Sequence, residues 1–121
     1  MARILIIDDD IRVLETYCLI LKHAGYEVVI TVDGEKGIRA FRRIIPDLII
    51  TDIIMPEKDG LETISELKRE FPEVKIIAIS GGDKVGPGNY LKMAKNLGAM
   101  CTLTKPIERE ELLAAVQKCL S

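Results

Sequence analysis

Asp8 and Asp9 close one short apolar run, Ile4 to Ile7. Asp52 closes a second, Leu48 to Thr51, Ser80 a third, Ile76 to Ile79, and Lys105 a fourth, Met100 to Thr104. Carboxylates, a hydroxyl and an ammonium are the groups that phosphate chemistry uses. Three ionised Asp side chains within a few ångströms repel one another, so either one keeps a proton or a cation neutralises them. The cation suited to this set is Mg2+, which takes oxygen ligands, retains waters, and works with one or two direct carboxylates plus phosphate oxygens. No His or Cys stands at a spacing that would compete. Beside such an ion Asp52 can attack a phosphorus centre, giving an aspartyl phosphate, a mixed anhydride that water can cleave. The transferring phosphoryl group spreads its charge over three equatorial oxygens, where Lys105 and Ser80 would meet it. Plainer roles exist for the same residue types. Acids after strands cap helices and form turns, and Asp10, directly ahead of the Ile11 to Leu21 pattern, is read as an N-cap. A lone lysine is most often a solvated surface group.

The elements that must position these groups alternate without interruption, a strand and a helix five times over. Leu14, Tyr17, Cys18 and Leu21 share one helical face, with Gly25 as the stop. Val28 to Ile30 is the second strand. Ile38, Phe41 and Ile45 mark a second helix that must end before Pro46, and Leu61, Ile64, Leu67 and Phe71 a third that ends before Pro72. Leu91, Ala94 and Leu97 line a fourth, closed by Gly98; Ile107, Leu112, Val116 and Leu120 line the fifth. Continuous runs such as Leu48-Ile49-Ile50 suit strands covered on both faces, hence a parallel sheet. Right-handed crossovers then give an α/β, doubly wound (βα)5 three-layer sandwich. Of the common strand orders, 2-1-3-4-5 suits five strands and sets the first and third side by side at the switch point, bringing Asp8 and Asp9 against Asp52.

The chain has 121 residues, 48% of them hydrophobic and 30% charged, which suits one domain with a real core. Its 17 basic and 19 acidic side chains leave a net charge of -2, without the basic footprint of an autonomous nucleic-acid binder. No apolar stretch approaches the roughly 20 residues that span a bilayer. A cytoplasmic protein with no direct nucleic-acid or membrane contact is expected. Cys18, Cys101 and Cys119 show neither a Cys-x-x-Cys pair nor metal spacing; free thiols are expected, with Cys18 and Cys101 as small buried hydrophobes. His23 falls at the end of the first helix, where a cation complements the dipole.

Four fragments, in order, resemble the receiver domain of two-component response regulators. They are Ile4-Leu-Ile-Ile-Asp-Asp-Asp10, Asp47-Leu-Ile-Ile-Thr-Asp-Ile-Ile-Met-Pro-Glu-Lys-Asp-Gly-Leu61, Ile76-Ile-Ala-Ile-Ser80 and Leu103-Thr-Lys-Pro-Ile107. The resemblance implies a flavodoxin-like fold, and the order 2-1-3-4-5 is that of a chemotaxis receiver, so that expectation is not independent of it. It also implies Asp52 as phosphoacceptor, with Ser80 and Lys105 on the phosphoryl oxygens. Mg2+ would be held by Asp9, Asp52 and the Ile54 backbone carbonyl, with Asp8 acting through water, and the Lys105-Pro106 bond would be cis. The implied donor is a phosphohistidine on a sensor histidine kinase or phosphotransfer protein, with small acyl phosphates as substitutes. The protein would be no enzyme beyond its own phosphorylation and dephosphorylation. Residues 1–121 would form one receiver with no output domain, signalling through protein contacts. The face of helix four, strand five and helix five, including Leu91, Lys95, Thr102 and Glu111, would meet a partner or a second copy.

The chain departs from the family at several positions. Thr102 stands where the family places a switching aromatic, and the segment from Gly81 to Asn89 is longer and richer in glycine than usual. Its Gly81 and Gly86 are followed by Pro87 where a Walker-type loop needs Lys. A partner-binding lid and a plain connection both remain open for it. Two other readings stay beside the receiver. One is a receiver fold that docks constitutively without phosphorylation. The other is a haloacid-dehalogenase-type phosphatase with Asp8 as nucleophile, opposed by the lack of a small-residue turn after Asp10 and of room for a cap. Ile54 puts an aliphatic side chain where many receivers carry an amide or charge, and Gly82 offers none at the other position facing the phosphate. Neither can orient a water, so Ile54→Asn and Gly82→Glu should each change the lifetime of the aspartyl phosphate, followed by loss of the phosphate mass with time. Decay unchanged in both would remove these two positions from control of hydrolysis.

Overall fold

The computed structural model describes residues 2–53, 60–81 and 87–121. Strands β1 (Arg3–Ile7), β2 (Glu27–Thr31), β3 (Leu48–Asp52), β4 (Ile76–Gly81) and β5 (Cys101–Lys105) alternate with helices α1 (Ile11–His23), α2 (Gly34–Ile44), α3 (Gly60–Glu70), α4 (Pro87–Leu97) and α5 (Arg109–Leu120). All pairings are parallel, in the order β2-β1-β3-β4-β5. The (βα)5 sandwich expected from the alternation is the one observed.

Parallel strands joined by crossover helices lie between two helical layers, so their side chains must be apolar on both faces. Strand β3 is buried at every position. Leu5, Ile7 and Ile49 face the core packed by Ile38, Phe41, Ile64 and Leu67 of α2 and α3. Ile4, Ile6 and Ile50 face the opposite core, with Leu14 and Leu21 of α1 and Leu112 and Val116 of α5. The outer strands β2 and β5 are only half-buried.

Local signals placed the helix ends. Asp10 caps α1 by accepting from the Arg12 amide at 3.0 Å, and Asp33 caps α2 by accepting from Lys36 N at 2.8 Å. Gly25 and Gly98, expected as stops, take φ of 100° and 119°, a region closed to most L side chains. The Lys105-Pro106 bond is cis, as the resemblance implied.

Some expectations need correction. Ile45 does not extend the apolar face of α2. It is the C-cap, at φ 44°, and is 57% exposed, because the following Pro46 disfavours helical backbone at that position. Phe71 and Ile107 lie just outside their helices yet still pack on the core; Phe71 meets Phe41 with ring centroids 4.4 Å apart. Leu97 and Met100 are exposed, at 38% and 45%, rather than buried. Cys18 and Cys101 are half-buried rather than buried, and the buried cysteine is Cys119. Cys18 flanks the Leu14-Tyr17-Leu21 stripe, and Cys101 opens an outer strand. The connection after β4 is shorter than Gly81 to Asn89, since Gly81 ends the strand and α4 begins at Pro87. Proline at a first helical position gives up no helical hydrogen bond. Residues 82–86 lie outside the described residues, as does Ile54.

A β-branched residue at positive φ is strained, by about 1–2 kcal/mol, and Ile45 buries little in return. Ile45→Gly should therefore raise stability by about 1 kcal/mol in urea unfolding. A loss of similar size would mean that Ile45 packing outweighs the strain.

Candidate functional site

The carboxyl edge of the sheet carries the site. Because β1 pairs with β2 on one side and β3 on the other, the crossovers leaving β1 and β3 diverge to opposite sides and leave a crevice between these strand ends. Ile7 pairs with Thr51, so Asp8 and Asp9 follow β1 level with Asp52 at the end of β3. Ligand oxygens of Asp8, Asp9 and Asp52 all lie within 4.8 Å of one another. Asp8 and Asp52 are buried, at 1% and 6% exposure, while Asp9 faces solvent.

Lys105 closes β5, two strands from β3 and three from β1. At about 4.8 Å per strand this is about 10 and 14 Å between backbones, a gap bridged by the long lysine stem together with the Asp side chains. Its Nζ donates to Asp8 Oδ2 at 3.0 Å and lies 3.6 Å from Asp52 Oδ2. The other Asp8 oxygen accepts from the Asp10 amide at 2.9 Å. Burial is the largest influence on the Asp8 carboxyl and leaves its pKa raised, although the Asp10 amide and Lys105 pull it down. Burial also opposes the Lys105 charge, but Asp52 and Asp8 outweigh it, so its pKa is raised as well. One ammonium thus compensates two buried carboxylates incompletely. Hard oxygen donors at this spacing, with an excess of negative charge, fit a small divalent cation.

Ser80 is fully buried at the end of β4 and donates to the Gly81 carbonyl at 3.3 Å. It lies one residue past Ile79, the register partner of Asp52, while Gly81 pairs with Lys105. Asp8, Asp9, Asp52, Ser80 and Lys105 therefore share one sheet edge. The fourth expected metal contact, the Ile54 carbonyl, lies outside the described residues.

Two contributors escaped the sequence reading. Gly60, which opens α3, donates its N–H to the Ile53 carbonyl at 2.7 Å, and a Cβ there would run into the backbone of Asp52 and Ile53. The chain returns so closely against the end of β3 that only glycine fits, and the Asp59-Gly60 pair was the available turn signal. Tyr17, read only as part of an apolar stripe, also borders the site. With Thr16, Lys105 and Pro106 it lines a cavity of about 390 Å3. Burial pushes its hydroxyl pKa up, with Lys105 acting against this and Asp8 and Asp52 adding to it. A larger hollow of about 730 Å3, lined by Phe41, Ile45, Phe71 and Val74, contains none of these groups.

Comparison with known proteins adds an independent line. The family profile described as "Response regulator receiver domain" matches residues 4–117. The chain is 36% identical over 126 residues to the DNA-binding dual master transcriptional regulator RpaA of Synechocystis, covering 99% of this chain and 49% of that protein. It is 32% identical over 121 residues to the chemotaxis protein CheY of Treponema pallidum, covering 98% of this chain and 82% of that one. A receiver domain protein from Clostridium thermocellum superposes with a TM-score of 0.92 at 29% identity, over 99% of this chain and 94% of that one. Several curated relatives are much longer, and the chain spans half or less of their length.

A carboxyl whose pKa is raised on folding binds its proton more tightly in the native state, so its contribution to stability falls as pH climbs from 3.8 through the raised value. In chelator, wild type should lose stability relative to Asp8→Asn across that window and be the less stable of the two at neutral pH. Mg2+ should stabilise wild type more than the variant. Thermal unfolding against pH and Mg2+ checks both, and a variant less stable at pH 7 in chelator would show that the Lys105 ion pair outweighs desolvation.

Proposed function

Because the chain belongs to the response-regulator receiver domain family, we propose that it accepts a phosphoryl group on Asp52 from a phosphohistidine of a sensor histidine kinase or phosphotransfer protein. The reaction needs Mg2+, and the signal passes on through altered protein contacts. The observation that carries this reading is the convergence of Asp8, Asp9 and Asp52 within 4.8 Å, faced by the Lys105 ammonium.

Asp52 is the acceptor because it ends the most buried strand and has the Lys105 ammonium 3.6 Å away, while Asp8 is engaged by Lys105 and the Asp10 amide. Its carboxylate oxygen attacks phosphorus, the N–P bond of the donor breaks, and the imidazole leaves with the electron pair and takes a proton. Asp9, the most exposed of the three acids, and Asp52 would hold the metal, and Asp8, occupied by Lys105 and the Asp10 amide, would support it less directly. Bound Mg2+ supplies charge neutralisation between the carboxylates and the phosphoryl oxygens. Lys105 holds the charge on a phosphoryl oxygen as Asp52 is consumed, and Ser80 rotates from the Gly81 carbonyl to donate to another. Self-catalysed gain and loss of phosphate is then the chemistry of this site.

The receiver occupies the whole of the chain, and its output surface is the face of α4, β5 and α5. There Lys95 and Glu111 are exposed, with Leu91 and Thr102 half-buried beside them. Thr102 pairs with Ala78 in the sheet, so the switch cannot use an aromatic ring at that position. No described helix is long and apolar enough to cross a membrane.

Incubation with Mg2+ and a small acyl phosphate should add one phosphate to the intact mass of wild type and none to Asp52→Asn. Lys105→Ala should retain the fold but accept phosphate at least about tenfold more slowly, consistent with loss of one charge contact at the reacting group. Absence of an adduct from both the acyl phosphate and a phosphorylated histidine protein would instead make the site a constitutive docking surface.

A further inference from the structure

Cys101 opens β5 and Cys119 lies in the last turn of α5, 18 residues further along the chain, yet their sulfurs are 3.5 Å apart. This pair is separate from the acidic site. Lys105 stands at the opposite end of the same strand, about 13 Å away at about 3.3 Å per residue. Packing alone accounts for a buried cysteine, and Cys119, 1% exposed, belongs to the core between the sheet and α5. Cys101 is half-buried at the margin of the same core, and the two thiols come from separate elements into direct contact.

We propose that Cys101 and Cys119 form a thiol-pair modification site, at which a small-molecule disulfide is reduced and an intramolecular Cys101–Cys119 disulfide is formed, reversibly. Cys101 is the entry thiol and Cys119 the resolving one. The Cys101 thiolate attacks one sulfur of the reagent R–S–S–R, whose S–S bond breaks. One R–S– leaves, takes up the proton and departs as R–SH. Cys119 then gives up its proton and attacks the Cys101 sulfur, expelling the second R–S–, which is protonated in turn. Two protein thiols are oxidised by two electrons, and one reagent disulfide is reduced to two thiols. The sulfurs must close from 3.5 Å to about 2 Å.

The division of roles follows from the surroundings. Burial, then the hydrogen bond and charge of Cys101, push the Cys119 thiol up to about 11, while Lys118 and Lys75 pull it down. A thiol held protonated and out of solvent is a poor first nucleophile. Once Cys101 is capped, its opposing charge is gone, the two lysines remain, and the mixed disulfide is already beside Cys119. The bridge would fasten the end of α5 to the start of β5, two of the three elements of the proposed output face.

The test uses the full chain carrying Cys18→Ser, so that two thiols remain, treated under native conditions with bis(2-hydroxyethyl) disulfide. Intact mass, alkylation and peptide mapping are the readouts. The expected product has lost two hydrogens, carries no adduct, yields a Cys101–Cys119 linked peptide, melts at a higher temperature and reverts with dithiothreitol. Cys119→Ser should stop at a mixed disulfide on Cys101, and Cys101→Ser should react on the order of tenfold more slowly, having only the buried thiol. A lasting mixed disulfide on Cys101 with Cys119 still open to alkylation would overturn the proposal. So would a link between molecules, or reaction only after denaturant is added.

Discussion

Charge compensation among buried carboxylates is the constraint on which the rest of the structure depends. Asp8 and Asp52 are almost fully covered, and a lone buried carboxylate is strongly disfavoured. Lys105 relieves both, but only because β5 ends level with the acids and its side chain reaches back across β4. The relief is incomplete, as the raised Asp8 pKa shows. That residual tension leaves the crevice with more negative charge than one ammonium offsets.

The sheet serves this crevice in two ways. Apolar coverage on both faces makes the central strands rigid supports, so the groups at their ends are fixed by burial rather than by loop conformation. The close approach of Gly60 to the backbone of Asp52 and Ile53 ties the start of α3 to the end of β3. On the other side of β3, Ser80 and Gly81 end β4 in register with Thr104 and Lys105 of β5.

The far end of the same sheet brings a different pair of groups together. Cys101 and Cys119 meet there because β5 and the last turn of α5 pack together. Ile45, strained and exposed, closes α2 there too. A fold with one functional edge thus leaves its opposite edge free to hold groups that phosphate chemistry does not use.

The alternation of apolar runs and helical stripes determined the class of fold, the five strands and most helix ends, because these follow from local rules of period, capping and proline. It also determined the acids, the serine and the lysine as strand-end residues. Where local signals competed, the reading slipped. Ile45 has the right spacing for a buried helical face and is instead the residue that must leave the helix before Pro46. Cys101 lies in an apolar run, but the run forms an outer strand and is only half-covered. Only the tertiary structure decided that Lys105 pairs with Asp8 more closely than with Asp52, that Tyr17 borders the site, that Gly60 admits no Cβ, and that two cysteines 18 residues apart touch. Each of these depends on the distance between elements remote in sequence, and that distance is set by the packing of the whole sheet and both helical layers, which no local pattern encodes.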